Sequence, residues 1–425
     1  MARLAAGKQG HHAAGQRLER RAPLRLLFLV PFAPRLDAAH GGARAIAQLI
    51  MEMAQRHRIA LCYLRGGDEP GVCDQLQAAC EVVEEVRLPD EDEAGRQAWR
   101  KRLHVWGQVI AGKPLWAIGR SSGAFEQRVR ALLHNWQPDM VQIEYHIMGQ
   151  YLPALEGHSA ARLLVQHEPG YDAAQESLRV HRGRLMPYLN WLAWQRFDRW
   201  VIRRVQAVVV FTERDRRTVA GLGLPTRLVR IPLGARLPHN PLDPAGSEPL
   251  SLIFAGNFLH GPNVEAALRL ADEIFPRVVA RFPGARLYIV GSDPPAALQR
   301  RASDNVMVTG YVPDVTPYLD RAALVVVPLS LGGGMRVKVL EALAFGKAVV
   351  ATRLAIEGLA LTNGEHVALA ETDAEFETAI TELLLSSQQR AAMAAAARAW
   401  ACANLRWDAV ADEYEALYRE LVRSP

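Results

Sequence analysis

Short apolar runs alternate along this chain with segments whose apolar positions recur at helical spacing. Arg25–Pro31 (RLLFLVP) is almost wholly apolar and predicts a buried strand. A loop carrying Gly41 and Gly42 follows, and Ala43–Arg56 reads as an amphipathic helix. Further strands are expected at Ile59–Leu64, Met140–Ile143, Leu163–Gln166, Val208–Phe211 and Leu228–Ile231. Continuous apolar strands separated by helices imply a parallel sheet covered on both faces.

The pattern stops at Arg236–Pro249 (RLPHNPLDPAGSEP), which holds four prolines and no periodicity, and then restarts. Strands are expected at Ser251–Ala255, Ala285–Val290, Val306–Val308, Leu324–Val327 and Ala348–Ala351, with helices over Asn263–Arg281 and Arg336–Ala344 and a helical C-terminus. The expected organisation is a tail over 1–22, a Rossmann-like domain over 23–236 and a second one over 237–404. A last helix over 405–425 is expected to pack back toward the first domain.

Length supports this division, since 425 residues exceed one ordinary core. Half of the residues are hydrophobic and 22% are charged, as in a soluble globular protein. No apolar stretch reaches the roughly 18 to 20 residues that span a bilayer. The first 22 residues lack an apolar core segment, do not resemble a signal peptide and are expected to be disordered. Cys62, Cys73, Cys80 and Cys402 have neither C-x-x-C spacing nor paired histidines nearby, against a disulfide framework or a zinc site.

Charge is uneven. Through residue 236 there are 34 Lys+Arg against 23 Asp+Glu; beyond it there are 16 against 22. A basic half attracts anionic partners. No basic-aromatic nucleic-acid motif accompanies it, so lipid surfaces or lipid phosphates are favoured over nucleic acid. Leu178–Arg204 mixes Tyr188, Trp191, Trp194, Phe197 and Trp200 with seven arginines. It reads either as an interfacial helix or as a core helix with its arginines in water.

The densest chemistry lies in Pro328–Thr352. A strand ends in Gly332, Gly333 and Gly334, a helix begins, and a second strand follows Gly346. Glycines permit close backbone approach, and free N–H groups at a helix start favour a diphosphate. Arg336 and Lys338 place cations where the helix dipole disfavours them, which an anionic ligand would explain. Glu341, three residues after Lys338 on the same face, suits ribose hydroxyls.

This stretch resembles the donor-binding signature of the family 4 retaining glycosyltransferases of GT-B fold, in a Gly-Gly-Gly variant. Phe254–Phe258 (FAGNF) with Pro262-Asn263, Leu287–Gly291 (LYIVG) and Val308–Val312 (VTGYV) support the resemblance. It implies two Rossmann-like α/β domains facing each other across a cleft, with the donor held by Gly256, Asn257, Gly291, Tyr311, Val312 and the glycine turn. It also implies transfer of a sugar from a nucleoside-diphosphate sugar to a cell-envelope glycan or lipid-linked acceptor. The family carries two glutamates eight positions apart; Glu341 matches the second, whereas Gly333 stands at the first. Asn257 and His260 stand where the family has an arginine and a lysine, and Arg336 and Lys338 are the expected replacements.

In the N-terminal half, the resemblance places the amides of Gly41 and Gly42 near the donor phosphate. His167 and Glu168, after the strand ending at Gln166, resemble the family's catalytic pair at the cleft. Tyr145 and His146 are candidates for the acceptor side, with Arg44, Glu144 and Glu213 as secondary candidates. No D-x-D motif stands in a plausible place and no metal or other cofactor is expected; helix amides with Arg336 and Lys338 would meet the leaving-group charge. A nicotinamide dehydrogenase and a P-loop enzyme are disfavoured, because neither glycine motif is present. The alternatives are a non-catalytic sugar-nucleotide-binding subunit and a GT-B epimerase. The expected location is cytoplasmic, with contact to the inner membrane surface.

Overall fold

The computed structural model describes residues 22–38, 41–67, 69–89, 98–167, 183–332 and 337–423, with Gly170, Ala174, Gln175 and Leu178. Residues 1–21 of the expected tail and the positions Glu168, Gly333, Gly334 and Arg336 lie outside these.

Two parallel sheets form the frame. The first holds β1 (Arg25–Val30), β2 (Arg58–Arg65), β3 (Val82–Arg87), β4 (Met140–Glu144), β5 (Ala161–Gln166), β6 (Ala207–Val210) and β7 (Arg227–Arg230), in the order β3-β2-β1-β4-β5-β6-β7. The second holds β8 (Glu248–Ala255), β9 (Arg286–Val290), β10 (Val306–Val308), β11 (Ala322–Val327), β12 (Val349–Ala351) and β13 (Ala368–Leu369), in the order β10-β9-β8-β11-β12-β13. Every described strand pair is parallel. The central strands are buried on both faces, as their unbroken apolar sequences require.

In a sheet of this kind, ligands bind outside the carboxyl ends of the strands, where the strand order reverses. That point falls between β1 and β4 in one lobe and between β8 and β11 in the other. The segments leaving these four strands therefore carry the site. They lead to α1 (Gly41–Ala54) after β1, to Tyr145 after β4, to α2 (Gly261–Arg269) after β8, and to α3 (Val337–Phe345) after β11.

The glycine pair expected in a loop instead opens α1, which starts two residues earlier than its sequence pattern suggests. The helix expected over Asn263–Arg281 runs from Gly261 through a π turn at Leu270–Ile274. The chain crosses between lobes twice, and the Ala235 N–H donates to the Leu405 carbonyl at 2.9 Å where the crossings meet. After the second crossing, α4 (Trp407–Arg423) packs against α1 and β5 of the first lobe. Tyr414 and Tyr418 on it are fully buried, and Arg56, just past the end of α1, bonds to Asp412 and Glu415.

Candidate active site between the two lobes

A cleft of about 1060 Å³ separates the lobes and is lined from both sides. That is at the upper end of the volume expected of a small-molecule site, room enough for a nucleotide sugar.

Its floor is built by the second lobe. Gly291 at the end of β9 has φ +148, and a Cβ there would fall 1.7 Å from the carbonyl oxygen of Gly256, so only glycine lets the two backbones cross. The Gly256 N–H bonds to Val290 and the Gly291 N–H to Gly310. Lys338, in the first turn of α3, donates to Asn263 Oδ1 at 2.5 Å and lies 4.2 Å from the centre of the Phe254 ring. Asn263 in turn donates to the Asn257 carbonyl at 2.7 Å. The ammonium is thus held over the end of β8, in the floor of the cleft. Asn257, His260, Tyr311, Val312 and Gly332 line the same space.

The first lobe closes over this floor. Gly41 opens α1 against Val337, which opens α3: a Cβ on Gly41 would lie 2.7 Å from Val337 Cγ2. Two helix N-termini, each carrying about half a positive charge, therefore converge on the cleft. Arg44, one turn into α1, donates to Glu341 Oε1 at 2.7 Å across the cleft. Arg214 of the first lobe also reaches the second, at the Gly332 carbonyl (3.4 Å) and Glu357 (3.3 Å).

The carboxylate bonded to His167 is Glu144, on β4: His167 Nε2 lies 2.6 Å from Glu144 Oε2, with both side chains buried. The expected neighbour, Glu168, lies outside the described residues. The Tyr145 ring stacks flat on the His167 ring, 3.9 Å between centres and 3° between planes. Tyr145 has φ +65, a backbone conformation that costs free energy in a non-glycine residue and clusters at functional sites.

Of the expected residues, Gly41, Gly42, Tyr145, His167, Gly256, Asn257, Gly291, Tyr311, Val312, Gly332, Lys338 and Glu341 all line the cleft. His146 does not: it is fully buried, edge-on to Trp116 and Trp194, behind the wall. Glu213 pairs with Arg216 at 2.8 Å on an exposed helix and is absent from the cleft wall. Trp116, Trp407 and the partnership of Glu144 with His167 do not follow from the sequence reading. For Glu144 a signal exists: Gln142 lies in a strand expected to be buried on both faces and Glu144 follows directly on its expected end at Ile143, which demands buried partners. Among the described residues no group of three or more metal-binding side chains comes together.

Residues 249–386, most of the second lobe, match the family model described as glycosyl transferases group 1. The whole fold is similar to sucrose-phosphate synthase from Thermosynechococcus elongatus, at a TM-score of 0.71 and 15% identity, over 94% of this chain and 100% of that chain. It is also similar to HepE from Anabaena in complex with UDP and glucose, at a TM-score of 0.63 and 13% identity, over 93% and 99% of the two chains. A mutant of S. aureus TarM, in complex with Fondaparinux, alpha-GlcNAc-glycerol and UDP, matches at a TM-score of 0.54 and 14% identity, over 69% of this chain and 59% of that one. No curated protein matches the chain in sequence. The architecture is that of the GT-B glycosyltransferases, two Rossmann-like α/β domains.

Proposed function

We propose that the protein moves a sugar from a nucleoside-diphosphate sugar, held by residues 237–404, to a glycan or lipid-linked acceptor that enters along residues 23–236. The observation that carries this is the convergence of the N-termini of α1 and α3 on one cleft, with Lys338 and Arg44 beside them and Glu341 at its wall. The diphosphate sits between the two helix starts, where amide dipoles and the two cations face the charge that grows as the sugar–phosphate bond breaks. Those groups meet the charge without a metal ion. Glu341 exchanges Arg44 for the ribose hydroxyls.

The family 4 resemblance of the glycine-turn motif supports retention of anomeric configuration. HepE is described with UDP and glucose, and a uridine nucleotide is the first donor class to try. Exposed apolar side chains favour a lipid-linked acceptor at a membrane surface. Ile110 and Leu185 are each 60% exposed, and Leu115 and Tyr188 are also exposed; Leu115 is joined to the Tyr188-bearing helix through Asn190. Trp116, next to Leu115, lines the cleft. An apolar patch that runs into the acceptor side of a site is where a lipid tail would rest.

Gly333, in place of the family's first acidic residue, favours a second reading, a non-catalytic sugar-nucleotide-binding subunit. Release of UDP or GDP from candidate donors, with and without a lipid or glycan extract, separates the two. Extract-dependent release supports transfer; binding with no release under any acceptor supports the second reading.

A further inference from the structure

A strand covered on both faces carries polar side chains only where something buried meets them, and β4 carries two. Gln142 and Glu144 are both fully buried and point to the same face. Together with one residue from each of two other elements they form a continuous line. The hydroxyl of Tyr418, on α4, donates to Gln142 Oε1. Gln142 Nε2 donates to Glu144 Oε1 at 2.5 Å, and His167 Nε2 lies 2.6 Å from Glu144 Oε2.

The protons in this line assign themselves. The Gln142 amide nitrogen donates to one oxygen of Glu144, and His167 turns Nε2 toward the other, where an Nε2–H meets an acceptor. The amide oxygen of Gln142 is then left for Tyr418, which donates. Burial holds that phenol well above its ordinary pKa, so it stays protonated. The Tyr145 ring covers the face of the imidazole and opposes a flip. His167 Nδ1 is buried without a hydrogen-bond partner among the described residues, while the residue lines the cleft. A buried ring nitrogen with no protein partner at a cavity wall calls for a partner from the ligand side.

We propose that Tyr418, Gln142 and Glu144 are positioning residues that hold His167 with a proton on Nε2, so that Nδ1 is turned to accept a hydrogen bond from a sugar hydroxyl in the cleft. Only the identity of that ligand rests on the transferase reading. The line also ties the site to the second crossing between lobes, because α4 begins at Trp407, itself in the cleft wall.

The test is a long-range proton–nitrogen NMR spectrum of the full chain labelled with 15N-histidine at pH 7.5, with His167 assigned by its loss in His167→Asn. The wild-type ring is expected to carry its proton on Nε2 alone. Glu144→Gln and Tyr418→Phe are each expected to move the ring toward a mixture of tautomers. Tyr418→Phe removes a single hydroxyl and carries the test if Glu144→Gln fails to fold. Transfer by Tyr418→Phe is expected to show kcat lowered about tenfold, the rate equivalent of one hydrogen bond, with the donor KM little changed. A wild-type ring protonated on Nδ1, or on both nitrogens, overturns the proposal, as does a tautomer that neither variant moves. If no donor is ever consumed while the tautomer is as expected, the transferase reading fails and the positioning line stands.

Discussion

Arg44 Nη2 and Glu341 Oε1 meet at 2.7 Å across the cleft, from the first turn of α1 in one lobe and the middle of α3 in the other. Both side chains keep contact with solvent, 30% and 22% exposed. A pair of this kind contributes about 1 kcal/mol or less, so a ligand can replace it at little cost. Under the proposed function, the donor's hydroxyl groups take Glu341 and its negative charge takes Arg44.

Arg44→Ala is expected to change unfolding stability by less than about 1 kcal/mol in a urea titration. It is expected to weaken nucleotide-sugar affinity about tenfold through loss of one charged contact to phosphate. Calorimetric titration measures the second effect. Tighter binding in the variant would show that Arg44 only competes with the ligand for Glu341.

Gly41 has no room for a side chain: a Cβ there would fall 2.7 to 3.0 Å from three atoms of Val337. Gly41→Val is expected to hold the lobes apart, raising the radius of gyration in small-angle scattering and abolishing any ligand-induced decrease. Each lobe keeps its own core, so the far-ultraviolet circular dichroism spectrum is expected to be unchanged. A wild-type scattering curve for the variant would contradict the contact.

Lys347 is fully buried behind the second sheet, and its ammonium donates to the Asp243 carbonyl at 2.5 Å. Burial lowers its pKa from 10.5 to about 8, an effect only partly offset by Asp320 and Asp243. The unfolded chain therefore binds more protons than the native one between about pH 8 and pH 10.5, and this residue makes stability rise with pH across that window. Below about pH 8 both states are protonated and the contribution is flat. Lys347→Met is expected to remove this rise. Urea unfolding of both proteins at pH 7.5, 9 and 10 checks it; parallel curves would refute it.

Much of the frame was legible because several central parallel strands are almost wholly apolar, as in RLLFLV, AVVV and AALVVV. Their ends shifted by one to three residues, since apolar periodicity does not mark where a ladder stops. The edge strand β3 was not expected: Glu84 and Glu85 interrupt its pattern, and its outer side needs no apolar cover. The floor of the cleft was legible as glycines and a lysine at a helix start. Its partners were not, because they come from elsewhere in the chain. Arg44 and Glu341 are 297 residues apart, and Gln142 and Tyr418 are 276 apart. Periodicity reports which face a residue occupies and carries no information about what crosses to meet it.

The central claim is that a nucleoside-diphosphate sugar binds between the lobes against α3. Thermal unfolding of the wild type, Lys338→Ala and Glu341→Ala with a panel of UDP-, GDP- and ADP-sugars tests it most directly. At least one donor is expected to stabilise the wild type, by about 2.7 kcal/mol at a concentration about a hundred times its Kd. Each variant is expected to unfold as the wild type does without ligand and to gain nothing from that donor. Stabilisation by none of the donors, or equal stabilisation of both variants, would contradict it.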